Sequence, residues 1–208
     1  MRRWKSCAIA GALLFPASLS FAGGGLFGLL DHRVNKDESG IWARHDQVLL
    51  EDLLFASVLG GALWEGGDTL LGQTFWRSLD ASVLGIAAAA VSKGLFTRER
   101  PAQTPDPNQW FKGGGHYSFP SGDVTFVTAA ITPFVLTYGP EHPVVYALEA
   151  LPLYDAVARV KSQAHWQSDV LAGFALGTGV GYYATQRSNS LLLEALPGGF
   201  KVGLRKLW

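Results

Sequence analysis

The apolar pattern of the chain predicts helices before it predicts anything else. Residues 49–64 are apolar with scattered glycines and read as one helix. Glu65-Gly66-Gly67-Asp68 punctuates it, and a second helical stretch runs from Thr69 past Trp76 and Ser82 to Phe96. Four consecutive alanines within residues 86–91 favour close helix packing and predict a buried position. From residue 98 to residue 119 the pattern stops, because Pro101, Pro105, Pro107 and the glycines at 113–115 exclude regular structure. Residues 124–140 and 170–186 are then uncharged runs of equal length. Between them, residues 144–161 are apolar with Glu149 and Asp155 embedded, and all three segments read as helices. The end of the chain changes period: Phe200, Val202, Leu204 and Trp208 share one side of an extended segment, with a turn at Pro197-Gly198-Gly199. The expected fold is all-α, a bundle of about five to six helices with the candidate site at one end, plus a short C-terminal β-hairpin over residues 191–208.

The N-terminus reads as processing signal. Arg2, Arg3 and Lys5 make a basic start, residues 8–15 a short apolar core, and Ser20-Phe21-Ala22 after Pro16 a cleavage site, so residues 1–22 are expected to be an export signal and 23–208 one helical domain. Residues 23–47 read as an irregular arm with a turn at Asp37-Glu38-Ser39-Gly40. Export alters the charge. The 17 basic and 17 acidic residues become 14 and 17 without the signal, a formal charge of −3 that gives no reason to expect a nucleic-acid partner. The one cysteine, Cys7, leaves with the signal, which excludes disulfides and thiolate metal sites from the mature chain. The uncharged runs fall short of the roughly 18 to 20 residues that span a bilayer, so patterning alone leaves soluble and membrane-associated readings both open.

Candidate chemistry sits in three stretches. Within Ala158-Arg-Val-Lys-Ser-Gln-Ala-His-Trp-Gln-Ser-Asp169, His165 and Asp169 are four apart, on one face if a helix starts near the histidine. A carboxylate bonded to one ring nitrogen would fix the tautomer and free the other nitrogen to attack an electrophile, while Arg159 clamps an anion. Lys93 and Arg100-Pro101 place two cations at the end of an apolar segment, and Phe119-Pro120-Ser121-Gly122-Asp123 looks like a turn into a new helix. Backbone N–H groups at a helix start, a serine hydroxyl, a lysine and two arginines are what a tetrahedral oxyanion needs.

With those residues in view, the chain resembles the type-2 phosphatidic acid phosphatase superfamily, which also holds bacterial class A acid phosphatases, glucose-6-phosphatase and vanadium haloperoxidases. The family pattern is Lys, six residues, Arg-Pro; then Pro-Ser-Gly-His; then Ser-Arg, five residues, His, three residues, Asp. Lys93, Arg100 and Pro101 match the first block in full. Pro120, Ser121 and Gly122 match the second, with Asp123 in place of histidine; Arg159, His165 and Asp169 match the third, with Ala158 in place of serine. The resemblance covers about residues 90 to 185.

The resemblance implies a phosphatase acting on a phosphomonoester or diphosphate, of a lipid in the first reading, without cofactor or metal. His165 attacks phosphorus to form a phosphohistidine, Asp169 orients it, and Lys93, Arg100, Ser121, the Gly122 N–H and Arg159 hold the phosphoryl oxygens. Asp123 stands where the family's leaving-group acid stands, and donates only if its pKa is raised above the usual value of about 4. His116, on the glycine-rich loop, is the rival donor. Trp110, Phe111, Lys112, His116 and Tyr117 are the expected rim over the site. The resemblance also implies a site on the periplasmic side, membrane-associated or free. The alternatives are a soluble periplasmic acid phosphatase of broad specificity and a catalytically impaired phosphate-binding relative. A vanadate-dependent haloperoxidase fits less well, since that chemistry is expected to need the histidine missing at 123.

Overall fold

The computed structural model describes residues 30–192, and among them the chain is helical with no strand. Five α-helices follow one another: α1 (Arg44–Glu65), α2 (Leu70–Phe96), α3 (Gly122–Tyr138), α4 (Ala150–Lys161) and α5 (Gln167–Gln186). Two 3-10 segments, Gly40–Trp42 and Pro143–Glu149, precede α1 and α4. The expected helical bundle is therefore observed. The export signal, and the predicted hairpin beyond residue 192, lie outside the described residues.

Local sequence sets the helix ends. α1 stops at Gly66, whose φ of +68° suits a residue without a side chain. Three residues later Thr69 caps α2, its hydroxyl accepting from the Gly72 N–H at 2.9 Å. The stretch expected as one helix over 144–161 is split, and its α-helical part begins late enough to put Pro152 in the first turn. There its missing N–H costs no intrahelical hydrogen bond.

α3 is the centre of the bundle, buried along most of its length and packed between α2 and α5. Its approach to α5 depends on a glycine stripe. A Cβ at Gly173 would lie 2.8 Å from the Ser121 carbonyl oxygen, and one at Gly177 2.6 Å from Thr128 Cβ. With no side chain in the way, the starts of α3 and α5 lie side by side, and the Ser121 N–H donates to the Asp169 carbonyl at 2.9 Å. The two C-terminal blocks of the sequence pattern thus meet at one end of the bundle.

The alanine run departs from expectation. Ala89 is buried, but Ile86, Ala87, Ala90 and Val91 are exposed. The face of α2 that meets α3 carries Ser78, Ala81, Ser82, Gly85 and Ala89, at helical spacing, so the alanines between them turn outward. α1 and α2 are long and apolar enough to cross a membrane by length and composition. Their outward faces expose Leu49, Leu53, Trp64, Val83, Val91 and Leu95. The arm before α1 is also better anchored than its sequence implied: Asp31 is buried, and the Gln163 side-chain amide donates to the Val34 carbonyl at 2.6 Å.

Candidate active site

His165 lies just ahead of α5, with Trp166 as the N-cap, so the helix starts two residues later than the site spacing anticipated. Its backbone N–H donates to the Arg159 carbonyl at 3.2 Å, tying it to the end of α4. On the ring, Nδ1 lies 2.6 Å from the Ser118 carbonyl oxygen. A carbonyl only accepts, so this contact assigns the proton to Nδ1 and leaves the Nε2 lone pair available. Asp169 Oδ2 is 3.8 Å from Nδ1, too far for the direct hydrogen bond its spacing promised. Being at the third helical position, the carboxylate turns back to the Trp166 N–H at 2.8 Å, while Ser118 interposes its carbonyl at the ring and its hydroxyl at the carboxylate. Burial lowers the His165 pKa to about 4; Asp169 opposes this, and Lys93 adds to it. The imidazole is neutral near pH 7, as a nucleophile requires.

Arg98 builds the support behind this pair. Fully buried, it donates to Asp169 at 2.5 Å, to Asp31 at 2.6 Å, to the Ser168 hydroxyl at 2.8 Å and to the Pro107 carbonyl at 2.7 Å. Its guanidinium also lies 4.2 Å from the centre of the Trp110 ring. Trp110, expected on the rim, is half-buried and packs one face against this support. Phe111 and Tyr117 are exposed, in keeping with that expectation.

The cradle forms where α2 and α3 converge. Lys93 Nζ donates to the Tyr117 carbonyl at 2.9 Å, next to the residue that holds His165. A Cβ on Gly122 would stand 3.5 Å from Lys93 Cε, so the lysine stem runs past the start of α3. Ser121 precedes that helix without capping it, and its buried hydroxyl has no partner among the described residues. An uncapped helix start with an unsatisfied hydroxyl is a ready acceptor of an anion. Arg100 is half-buried, its backbone N–H bonded to Gln103 Oε1 at 2.8 Å, and its charge is felt at Arg159.

Arg159 and Asp123 face each other across the cradle. Asp123 Oδ2 lies 3.2 Å from Arg159 Nε and 3.0 Å from Arg44 Nη1. The first contact is an ion pair without hydrogen-bond alignment, since Arg159 Nε has no hydrogen-bond partner among the described residues. Burial pushes the Asp123 pKa up, but Arg159, Arg44, His165 and Lys93 together outweigh it and hold the carboxyl below its ordinary value. α1 supplies the rest of this side. Gln47 Oε1 accepts from Arg159 at 3.1 Å and from Arg44 at 3.3 Å, and Glu51 accepts from Arg44 at 3.1 Å. None of these three α1 residues was visible as a site residue in the sequence.

From Lys93, Gly122 and Asp123 a groove of about 450 Å³ extends between α1 and α2, past Phe55, Ile86 and Ala90. The candidate residues of all three sequence blocks thus gather at this end of the bundle. Residues 76–191, more than half of the chain and inclusive of all three blocks, match the family model of the PAP2 superfamily. The chain belongs to the PAP2 superfamily. Its fold is also similar to the crystal structure of Aquifex aeolicus LpxE, with a TM-score of 0.51 and 18% identity over 78% of this chain and 93% of that one. No curated protein matches it in sequence. PAP2 membership supports a phosphatase acting on a phosphorylated lipid or other phosphoester.

Proposed function

We propose that this PAP2 chain hydrolyses the phosphate ester or diphosphate of a lipid through a phosphohistidine on His165. One observation carries the reading: a neutral imidazole with Nε2 unencumbered stands beside an uncapped helix start, an unpartnered serine hydroxyl and the cations Lys93 and Arg159. Nε2 attacks phosphorus as the P–O bond to the leaving group breaks. Lys93, Arg100, Arg159, the Ser121 hydroxyl and the Gly122 N–H hold the equatorial oxygens, and this fixed charge is the main source of acceleration. Asp169 acts through the Ser118 bridge, keeping the ring in place and stabilising the positive charge it gains. Water then attacks the phosphohistidine, releasing phosphate and restoring the imidazole. The positive charge comes from side chains already present, so the mechanism needs no metal.

Asp123 is the proposed leaving-group acid, and its two arginines make the proposal conditional on substrate. A phosphate dianion entering the cradle competes for Arg159 and Arg44, frees the carboxylate from its partners and sets negative oxygens beside it. Both changes raise its affinity for a proton. The donated proton goes to the leaving oxygen, and the attacking water returns one to Asp123.

The lipid part of the reading rests on the groove, which leaves the cradle between two helices with exposed apolar faces. The site is proposed to face the periplasm at the membrane boundary. Phosphate release by purified protein from a panel of lipid and soluble phosphates tests this, with His165→Ala beside it. The expected outcome is preference for lipid phosphates in wild type and a loss of at least about a thousandfold in the variant. Preference for small soluble phosphomonoesters would favour the broad-specificity alternative. No release from any substrate would favour the impaired one.

A further inference from the structure

Asp155 is a buried titratable group for which the proposed chemistry has no role. Its side chain is 0% exposed, and neither carboxylate oxygen has a hydrogen-bond partner among the described residues. It sits four residues before Arg159 on α4, one turn away on the same face. The charged groups that bear on it are Arg44 and Glu51 from α1, Asp123 from α3, and Arg159 on its own helix. Leaving Asp155 aside, these groups balance, with two arginines against Asp123 and Glu51 linked by contacts of 3.0 to 3.2 Å. An ionised Asp155 would be a third anion for two cations, buried and without a hydrogen-bond donor.

We propose that Asp155 is a positioning residue which, as an uncharged carboxyl, leaves Arg159 to the substrate phosphate, and which on ionising takes that arginine and weakens phosphate binding. The inference rests on the proposed role of Arg159 as a phosphate ligand. It does not depend on His165 chemistry or on which group protonates the leaving oxygen. Burial, reinforced by Asp123 and Glu51 and opposed by Arg159 and Arg44, raises the Asp155 pKa to about 7, which places the change near neutrality. Since the proton is lost as pH rises, phosphate should bind well below about pH 7 and progressively less well above it.

Binding of inorganic phosphate to the full chain, measured by calorimetry between about pH 5 and pH 9, tests this in wild type and Asp155→Asn. Asparagine keeps the shape and carries no charge, and phosphate's own ionisation is common to both proteins. The expected result is a Kd that rises in wild type relative to the variant by on the order of tenfold across neutrality, the effect of one nearby partly screened charge. Turnover should show the same difference in KM, with kcat far less affected. A constant ratio of the two Kd values over the whole range would overturn the assignment. Phosphate binding with the Asp155-dependent profile, but without turnover of any substrate, would leave it standing while removing the enzymatic reading. If Asp155→Asn does not fold, infrared titration of the unaltered protein with labelled aspartate decides. A protonated carboxyl that persists past about pH 5.5 and disappears near 7 supports the inference, and its absence excludes it.

Discussion

The two arginines that meet the carboxylates of Asp169 and Asp123 live under different conditions. Arg98 is sealed in: its side chain and those of its partners Asp31 and Asp169 have 0% exposure, and its donors are answered by carboxylates, a hydroxyl and a carbonyl. Arg159 is nearly as buried, at 9% side-chain exposure, yet its Nε lacks an aligned partner and its anion, Asp123, is shared with a half-exposed Arg44. One side of the site is a finished structure. The other is held by an internal anion that an incoming phosphate can replace. On the proposed mechanism, the difference separates what must not move during catalysis, the ring of His165 and its support, from what must exchange partners once per turnover.

Breaking the closed side should produce the largest effect. Arg98→Met fills much of the same volume but strands two buried carboxylates, and loss of one member of such a network costs about 3–5 kcal/mol. Chemical denaturation should show that loss, or the protein should fail to fold. Arg44→Ala on the open side should cost less than about 1 kcal/mol, because its side chain is 44% exposed and its ion pairs are screened. Similar losses from both variants would erase the contrast between the two sides.

How much of this could be read from the sequence divides along the same line. The helices were legible because each contains an apolar run, two of them closed by Gly66 and by Gly139-Pro140, and the cradle residues because their spacing forms three blocks in order. Arg98 was not. It stands two residues before Arg100 in Arg98-Glu99-Arg100, at the point where the helical pattern stops, while its partners lie 67 and 71 positions away. Asp31, Arg44 and Gln47, in an arm read as irregular, and Glu51, at the start of a helix read as merely apolar, were hidden for the same reason. A polar side chain near an apolar segment gives no local sign of a distant partner. The alanine run failed differently: composition gave a small-residue face without saying which way it turned. Spacing likewise brought His165 and Asp169 together, but could not show that the Ser118 carbonyl would take the ring proton.

A smaller change on the open side sharpens the role of Asp123. Asp123→Asn removes the anion that Arg159 and Arg44 hold at rest, so two effects should separate. Inorganic phosphate should bind more tightly, as the internal competitor is gone. Turnover of alkyl phosphates should fall by on the order of a hundredfold, since an amide cannot replace the acid, with aryl phosphates much less affected. In wild type, the neutral state of His165 persists down to its pKa of about 4, so the acidic limb of kcat/KM should lie near that value, with the rate lost as pH falls through it. An acidic limb near 6.5 would mean that the ring is solvated during turnover.

The smallest expected change is at His116, and it decides who gives the proton. This histidine sits two residues before Ser118, on the loop whose Tyr117 and Ser118 carbonyls hold Lys93 and His165. Its Nδ1 is 3.7 Å from Glu99 Oε1 and has no hydrogen-bond partner among the described residues, so no hydrogen bond at that nitrogen fixes the ring. Asp123 already lies against Arg159, the proposed phosphate ligand, and on that reading needs no loop movement to serve as the acid. If Asp123 is the donor, His116→Ala should change alkyl phosphate turnover by no more than about threefold, and alkyl and aryl substrates alike, since it removes only a partly exposed side chain. An alkyl-selective loss approaching a hundredfold in His116→Ala, with Asp123→Asn unaffected, would transfer the acid role to the loop. The pair of variants thus tests whether the open side supplies both the charge that receives the phosphate and the proton that releases its alcohol.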